Sequence, residues 1–223
     1  MSLFEDLKAA IDTDWTDYTE HSFVQELGAG TLPLSAFQDY LVQDYLFLVQ
    51  FARAYALAGF KSKSLSDLEF ANAGMTSILT ETQLHRRLTE RWGISLLALE
   101  AAPEKLATVA YTRYVLDCGM SGSLLDLNVA LAPCMIGYSE IGRALEPLRI
   151  ASPDHPYGEW ISEYSAPDYG LAASAAASRL DDLAGGLSAQ RFEELVTVFR
   201  TATRLESAFW QQALEVAPAP VHS

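Results

Sequence analysis

Three side chains able to do chemistry stand where the surrounding pattern calls for apolar residues. Tyr40, Asp44 and Phe47 fall at i, i+4 and i+7, so they share one face of a helix. A carboxylate on such a face is costly unless it finds a donor, and it offers a strong acceptor to an amine. Asp44 could also sit near a helix end or pair with an arginine, with Arg53 of another subunit and Arg113 as the candidates. Glu206 repeats the pattern: Leu195, Phe199, Ala202, Glu206 and Phe209 follow a single stripe, four of the five apolar. Desolvation there would raise its pKa toward that of a useful proton donor, while Arg204 and Gln211 supply ordinary surface partners. Cys134 is the third, in the stripe Leu127, Leu131, Cys134, Tyr138, Ile141 and Leu145. A lone helical cysteine commonly packs as a small hydrophobe. Here Pro133 removes a backbone N–H beside it, so a kink is expected next to a potential nucleophile, and Gly137 loosens the following turn.

Aromatic residues accompany these groups. Tyr138 lies one turn from Cys134, Tyr111 shares a face with Ala107, Tyr114 and Cys118, and Tyr164 follows Trp160 near a helix end. Such rings pack cores, and they also wall pockets for flat heterocycles. Cys118 reads as core. Glu81 and His85 form a Glu-x-x-x-His pair, the start of a possible metal site. A carboxylate-bridged di-iron bundle needs further ligands at Glu-x-x-His spacing, and the chain has only His21, His85, His155 and His222 to draw on. No metal or cofactor is expected. No Gly-rich phosphate loop, Gly-x-Ser-x-Gly elbow or Walker pattern occurs in the sequence, which disfavours phosphate chemistry.

The elements that must position these residues are helices. Apolar periodicity of three to four predicts helices near 3–27 (broken around 13–21), 34–61, 65–92, 103–119, 123–148, 156–183 (broken around 165–170) and 188–216. Gly28, Gly30 and Pro33 separate the first two; Ser64 and Ser188 are candidate N-caps, and Gly185-Gly186 makes a stop. Within Tyr45–Phe60 only Gln50 and Arg53 are strongly polar, as in a helix inside a bundle, and that segment falls short of a membrane span. The 223 residues are half hydrophobic and 11% aromatic, enough for a substantial core. The expected organisation is a single all-α domain over 1–216 with a loose tail over 217–223.

The balance of 15 Lys+Arg against 29 Asp+Glu gives a net charge of −14, which argues against wrapping nucleic acid or docking on anionic membrane. The N-terminal segment lacks the basic head and apolar core of a signal peptide. Two cysteines without a Cys-x-x-Cys pair do not make a disulfide scaffold. The expectation is a cytoplasmic protein with no nucleic-acid or membrane partner.

The order of these motifs resembles the TenA/thiaminase II family. The likeness opens at His21–Leu27, Gly30–Leu32, Phe37–Leu48 around Asp44, and Phe51–Arg53, and continues at Ala107–Thr112. Its most specific part is Ala130–Gly142, which reads Pro133-Cys134-x-x-x-Tyr138-x-Glu140-x-Gly142. It closes with Tyr157–Tyr164 and Glu206–Trp210. The resemblance implies an all-α fold like haem oxygenase, a homotetramer and no metal or haem. It implies hydrolysis of 4-amino-5-aminomethyl-2-methylpyrimidine, or of thiamin, to 4-amino-5-hydroxymethyl-2-methylpyrimidine. Cys134 would be the nucleophile and Glu206 the acid/base. Asp44 would hold the exocyclic amine and adjacent ring nitrogen, with Phe47, Tyr111, Tyr138 and Tyr164 completing the pocket. Where the family commonly has tyrosine, this chain has Phe47, which stacks but donates no hydrogen bond. Two other classes stay open: a bundle relative doing metal-dependent oxidation through Glu81 and His85, and a non-catalytic pyrimidine-binding or regulatory helical protein.

Overall fold

The computed structural model describes residues 2–91 and 93–215, apart from the Leu84 side chain; the expected tail over 217–223 lies outside the described residues. Among the described residues the structure is all helix: α1 Leu3–Ala10, α2 Asp12–Thr19, α3 Ser22–Gly28, α4 Leu34–Lys61, α5 Leu65–Arg91, α6 Leu96–Ala101, α7 Leu106–Ser121, α8 Leu124–Ala151, α9 Gly158–Ser165, α10 Pro167–Ala184 and α11 Ala189–Leu214. The all-α expectation holds. Start signals act as the sequence suggested: the hydroxyls of Ser64 and Ser188 accept from the backbone N–H of Asp67 and Arg191. Gly185, at φ +53°, follows the last residue of α10.

Two local expectations are corrected. The stretch 13–21, expected as a break, is mostly α2, because Trp15 and Tyr18 bury one face of it and packing outweighs its polar composition. The short α6 was not anticipated; its signal is Ser95, whose hydroxyl accepts from Ala98 N–H at 3.2 Å. Six residues are too few to show a period.

The chain divides into two compact units, residues 1–32 with 128–210 and residues 33–127 with 211–223. In the second, α4 packs against α5, α6 and α7. Its buried face carries Phe37, Tyr40, Leu41, Asp44, Phe47, Leu48, Phe51 and Tyr55.

In the first unit an aromatic core joins the N-terminal helices to α8, α9 and α11. Trp15 stacks on Phe199 at 5.5 Å, Phe23 on Trp210 at 4.8 Å, and Tyr138 lies 5.2 Å from Trp210. Glu140 anchors this packing. Its carboxylate accepts from Lys8 Nζ at 2.8 and 2.9 Å and from Trp15 Nε1 at 3.0 Å. Helix α8 is continuous through Pro133 and Pro147. It is also long and apolar enough to cross a membrane, with a mean hydropathy of 1.2, but 89% of that window is buried in the protein. Core burial accounts for its composition.

Gly137 and Gly142 are close-approach positions. A Cβ at Gly137 would meet the Tyr18 ring at 2.4 Å, and one at Gly142 would meet the Tyr164 carbonyl carbon at 2.4 Å and its oxygen at 2.6 Å. Backbone cannot swing away as a side chain can, so α9 rests on α8 only because position 142 has no side chain. Gly170 has open space around it in α10. Gly142→Ala is expected to destabilise the protein by about 3 kcal/mol, and Gly170→Ala to stabilise it by about 0.5–1 kcal/mol. Denaturant unfolding of the two variants beside the wild type measures both signs.

Candidate functional site

The second unit holds Asp44, Phe47 and Tyr111 together. Asp44 and Phe47 are one turn apart on α4, and the Phe47 ring lies 5.0 Å from that of Tyr111 on α7 and 5.0 Å from that of Phe51. All are buried. Within the chain, among the described residues, the partner of Asp44 is not an arginine. Arg53 donates to Gln50, and Arg113 binds Glu104. Instead His85 Nε2, on α5, sits 2.5 Å from Asp44 Oδ2, and the Tyr40 hydroxyl donates to the same oxygen at 3.1 Å. Among the described residues no hydrogen bond falls on Oδ1. The Nε2–Oδ2 contact is short but poorly aligned for a hydrogen bond, so its attraction is chiefly Coulombic.

His85 is completely buried, which by itself would lower its pKa. The Asp44 carboxylate outweighs that, Glu81 adds to it, and the imidazole is pushed up to about 9. His85 is therefore an imidazolium at neutral pH, and its Nδ1 donates to the Glu81 carbonyl at 3.1 Å. Donor atoms of Asp44, Glu81 and His85 lie within 4.8 Å of one another, a set chemically able to hold a cation. A tetrahedral zinc site with bonds of about 2 Å spaces its ligand atoms about 3.3 Å apart, wider than the 2.5 Å between Nε2 and Oδ2. The arrangement is that of an ion pair.

Glu81 and His85 were legible as a pair, but their partner on α4 was not. The available signal was the buried stripe Ile78, Glu81, His85 and Leu88 on α5, which turns the imidazole into the unit's interior. A polar network beside Asp44 also escaped the sequence reading. Gln43 Oε1 accepts from the Thr108 hydroxyl at 2.7 Å and from Lys105 N–H at 2.8 Å, and Gln43 Nε2 donates to the Pro103 carbonyl. Gln212 Nε2 in turn donates to the Thr108 hydroxyl. These bonds pin α4 to the start of α7, the helix that carries Tyr111.

The first unit holds Cys134, Tyr138, Tyr164 and Glu206. Every member of the α8 stripe is buried, Cys134 among them, and the Tyr18 hydroxyl donates to the Pro133 carbonyl at 3.3 Å. Tyr138 and Tyr164 lie 4.9 Å apart, with Trp160 4.5 Å from Tyr164. Glu206 is buried along with Leu195, Phe199, Ala202 and Phe209, while Arg204 turns outward to Asp14. Cys118 packs as expected: burial pushes its thiol up, against a hydrogen bond from Tyr114, which leaves it a poor nucleophile.

The second unit thus supplies a buried carboxylate held on one oxygen beside an aromatic wall, and the first unit supplies a buried thiol, aromatic rings and a second buried acid. The TENA/THI-4/PQQC family profile matches residues 8–216. An aminopyrimidine aminohydrolase from Halalkalibacterium halodurans is 41% identical over 201 residues, 89% of each chain. The hydroxymethylpyrimidine/phosphomethylpyrimidine kinase THI20 of Saccharomyces cerevisiae is 31% identical over 90% of this chain, which spans 37% of that protein's length. A solved structure described as a TenA family transcription regulator, from Silicibacter sp. TM1040, superposes with a TM-score of 0.90 at 44% identity, covering 96% of this chain and 97% of the other. The chain belongs to the TENA/THI-4/PQQC family.

Proposed function

We propose that the protein is an aminopyrimidine hydrolase of thiamin salvage. It would convert 4-amino-5-aminomethyl-2-methylpyrimidine and water to 4-amino-5-hydroxymethyl-2-methylpyrimidine and ammonia, or cleave thiamin at the same carbon with the thiazole as leaving group. The observation that carries this reading is the likeness to an aminopyrimidine aminohydrolase over 89% of each chain, in a protein whose buried Asp44 is held through Oδ2 by His85 and Tyr40. The kinase relative, whose printed name concerns hydroxymethylpyrimidine, fits the same product. Residues 1–216 are taken as one functional domain, since the family match runs from 8 to 216. For the regulator-like reading suggested by the Silicibacter description, the net charge of −14 is unfavourable to contact with DNA phosphates.

The roles follow from the chemistry. Asp44 accepts hydrogen bonds from the amine and, when the neighbouring ring nitrogen carries a proton, from that N–H, with Phe47, Tyr111, Tyr138 and Tyr164 as aromatic contacts for the flat ring. The Cys134 thiolate adds to an electrophilic ring carbon, and Glu206 gives its proton to a ring nitrogen. The electron pair so released breaks the bond from the side-chain carbon to its leaving group, so that a protonated aminomethyl group leaves as ammonia and the thiazolium of thiamin as neutral thiazole. Water adds to the exposed methylene, the sulfur–carbon bond breaks, and the thiolate and Glu206 proton are restored. Every step uses side chains alone.

The two cysteines are free thiols, which suits a reducing cytoplasm. Large exposed apolar side chains support self-association, and we infer a homotetramer: Phe60 is 88% exposed, Leu106 85% and Leu65 71%.

Three measurements test these readings. Turnover of the aminomethyl pyrimidine and thiamin, assayed side by side, should be seen for at least one substrate and should fall at least about a thousandfold in Cys134→Ser. Retained activity would rule out the thiol adduct. Phe47→Tyr, which adds one hydroxyl donor to the pocket wall, is expected to raise turnover by about three- to tenfold; an unchanged or lower rate on both substrates refutes it. Light scattering on the purified protein should return four chain masses, and a monomer would refute the assembly.

A further inference from the structure

We propose that His85 is a positioning residue for substrate recognition: paired with Oδ2 of Asp44, it fixes the plane of that buried carboxylate and leaves Oδ1 as the acceptor for an amine-and-ring-nitrogen donor pair. The proposal rests on the aminopyrimidine reading and assigns a function to a residue that the hydrolytic mechanism does not use.

Three observations carry it. First, the contacts of Asp44 are divided unequally. The Tyr40 hydroxyl and His85 Nε2 both meet Oδ2, and neither meets Oδ1. A carboxylate held on one oxygen by two groups from two helices has a fixed plane, so the direction of its second oxygen is set before any ligand arrives. Second, the imidazole is itself held. Nδ1–H donates to the Glu81 carbonyl one turn earlier on α5, which orients the ring and leaves Nε2–H for the carboxylate. Third, the charges balance. The groups facing His85 are Asp44 and the neutral Tyr40 from α4 and Glu81 from its own helix, and the two carboxylates push the fully buried imidazole up to about 9.

The ligand class follows. A neutral carboxylic acid offers one donor and one good acceptor, whereas an anionic carboxylate accepts from two adjacent N–H groups. Aminopyrimidines carry an amine next to a ring nitrogen that takes a proton, and that pair of donors suits the anion.

The test uses His85→Gln and Tyr40→Phe in the full chain. In His85→Gln the KM for the aminomethyl pyrimidine, and the calorimetric Kd of the hydroxymethyl product, should rise about 10- to 100-fold at pH 6.5. The penalty relative to the wild type should shrink as pH rises past about 9, where the wild-type imidazole itself loses its proton, while kcat changes less than about threefold. Tyr40→Phe, which removes a neutral donor, should show a smaller penalty with no pH dependence. Independently of substrate, nitrogen-detected NMR of the wild type should show His85 protonated on both nitrogens at pH 7.5, titrating near 9, and titrating lower in Asp44→Asn. An unaltered KM in His85→Gln, or a penalty that stays constant through pH 9, overturns the proposal, as does a His85 titration indifferent to Asp44. Zinc or manganese binding that displaces the imidazole proton also overturns it, in favour of a metal site. If His85→Gln does not fold, Tyr40→Phe and the NMR titration still decide. A wild type that neither binds nor turns over either pyrimidine fails at the functional reading itself, whereas normal wild-type turnover with a flat His85→Gln penalty sinks positioning alone.

Discussion

A charge taken out of water must be met by another, and the second unit is arranged around one such meeting. Asp44 and His85 are both buried, on adjacent long helices, 2.5 Å apart. Either alone would be expensive, by several kcal/mol for an unpaired ion. Together they fix the register of α4 against α5. The neighbouring aromatic wall depends on that register: Phe47 is one turn from Asp44, and its ring meets Tyr111 only while α4 keeps its rotation. The Gln43–Thr108–Gln212 bonds hold the same helix from another side. Electrostatic and hydrogen-bonding constraints thus do the aligning that smooth apolar faces cannot, because a hydrophobic contact is indifferent to small rotations and an ion pair is not.

The first unit reaches order by another route. Its core is a chain of rings from Phe4 and Trp15 through Trp210 to Tyr138 and Tyr164, whose flat faces leave few alternative packings. Polar contacts sit at its margins. Glu140 ties α1 and α2 to α8, and the Tyr157 hydroxyl donates to the Leu32 carbonyl. Cys134 and Glu206 lie on the stripes that these rings build.

Much of this was readable from residue order alone, and the exceptions have physical causes. Helices α4, α5, α8 and α11 were legible because four or more turns give periodicity room to declare itself, and Ser64, Ser188 and Gly185 marked their ends. The burial of Asp44, Cys134 and Glu206 followed from the stripes they interrupt. What resisted was information held between helices. Nothing near Asp44 in sequence says that its counter-ion is forty-one positions away on α5. The same is true of Glu140 and Gly142 in the Pro-Cys motif, whose partners are Lys8, Trp15 and the Tyr164 backbone. A pattern marks the positions that are constrained, but the constraining atom is supplied by the fold.

The way the chain is partitioned has a consequence for the order of assembly. The second unit is nearly continuous in sequence, so its helices can begin to pair as soon as they are made. The first is split, with its opening helices closing onto α8 through contacts such as Lys8–Glu140 that bridge 132 positions. Such long-range closure slows folding. During synthesis α1–α3 therefore wait, their Trp15, Tyr18 and Phe23 faces unpartnered, until well over half the chain has left the ribosome. The protein's exposure to aggregation belongs to that interval, and chain growth rate, more than the stability of the finished fold, sets how long it lasts.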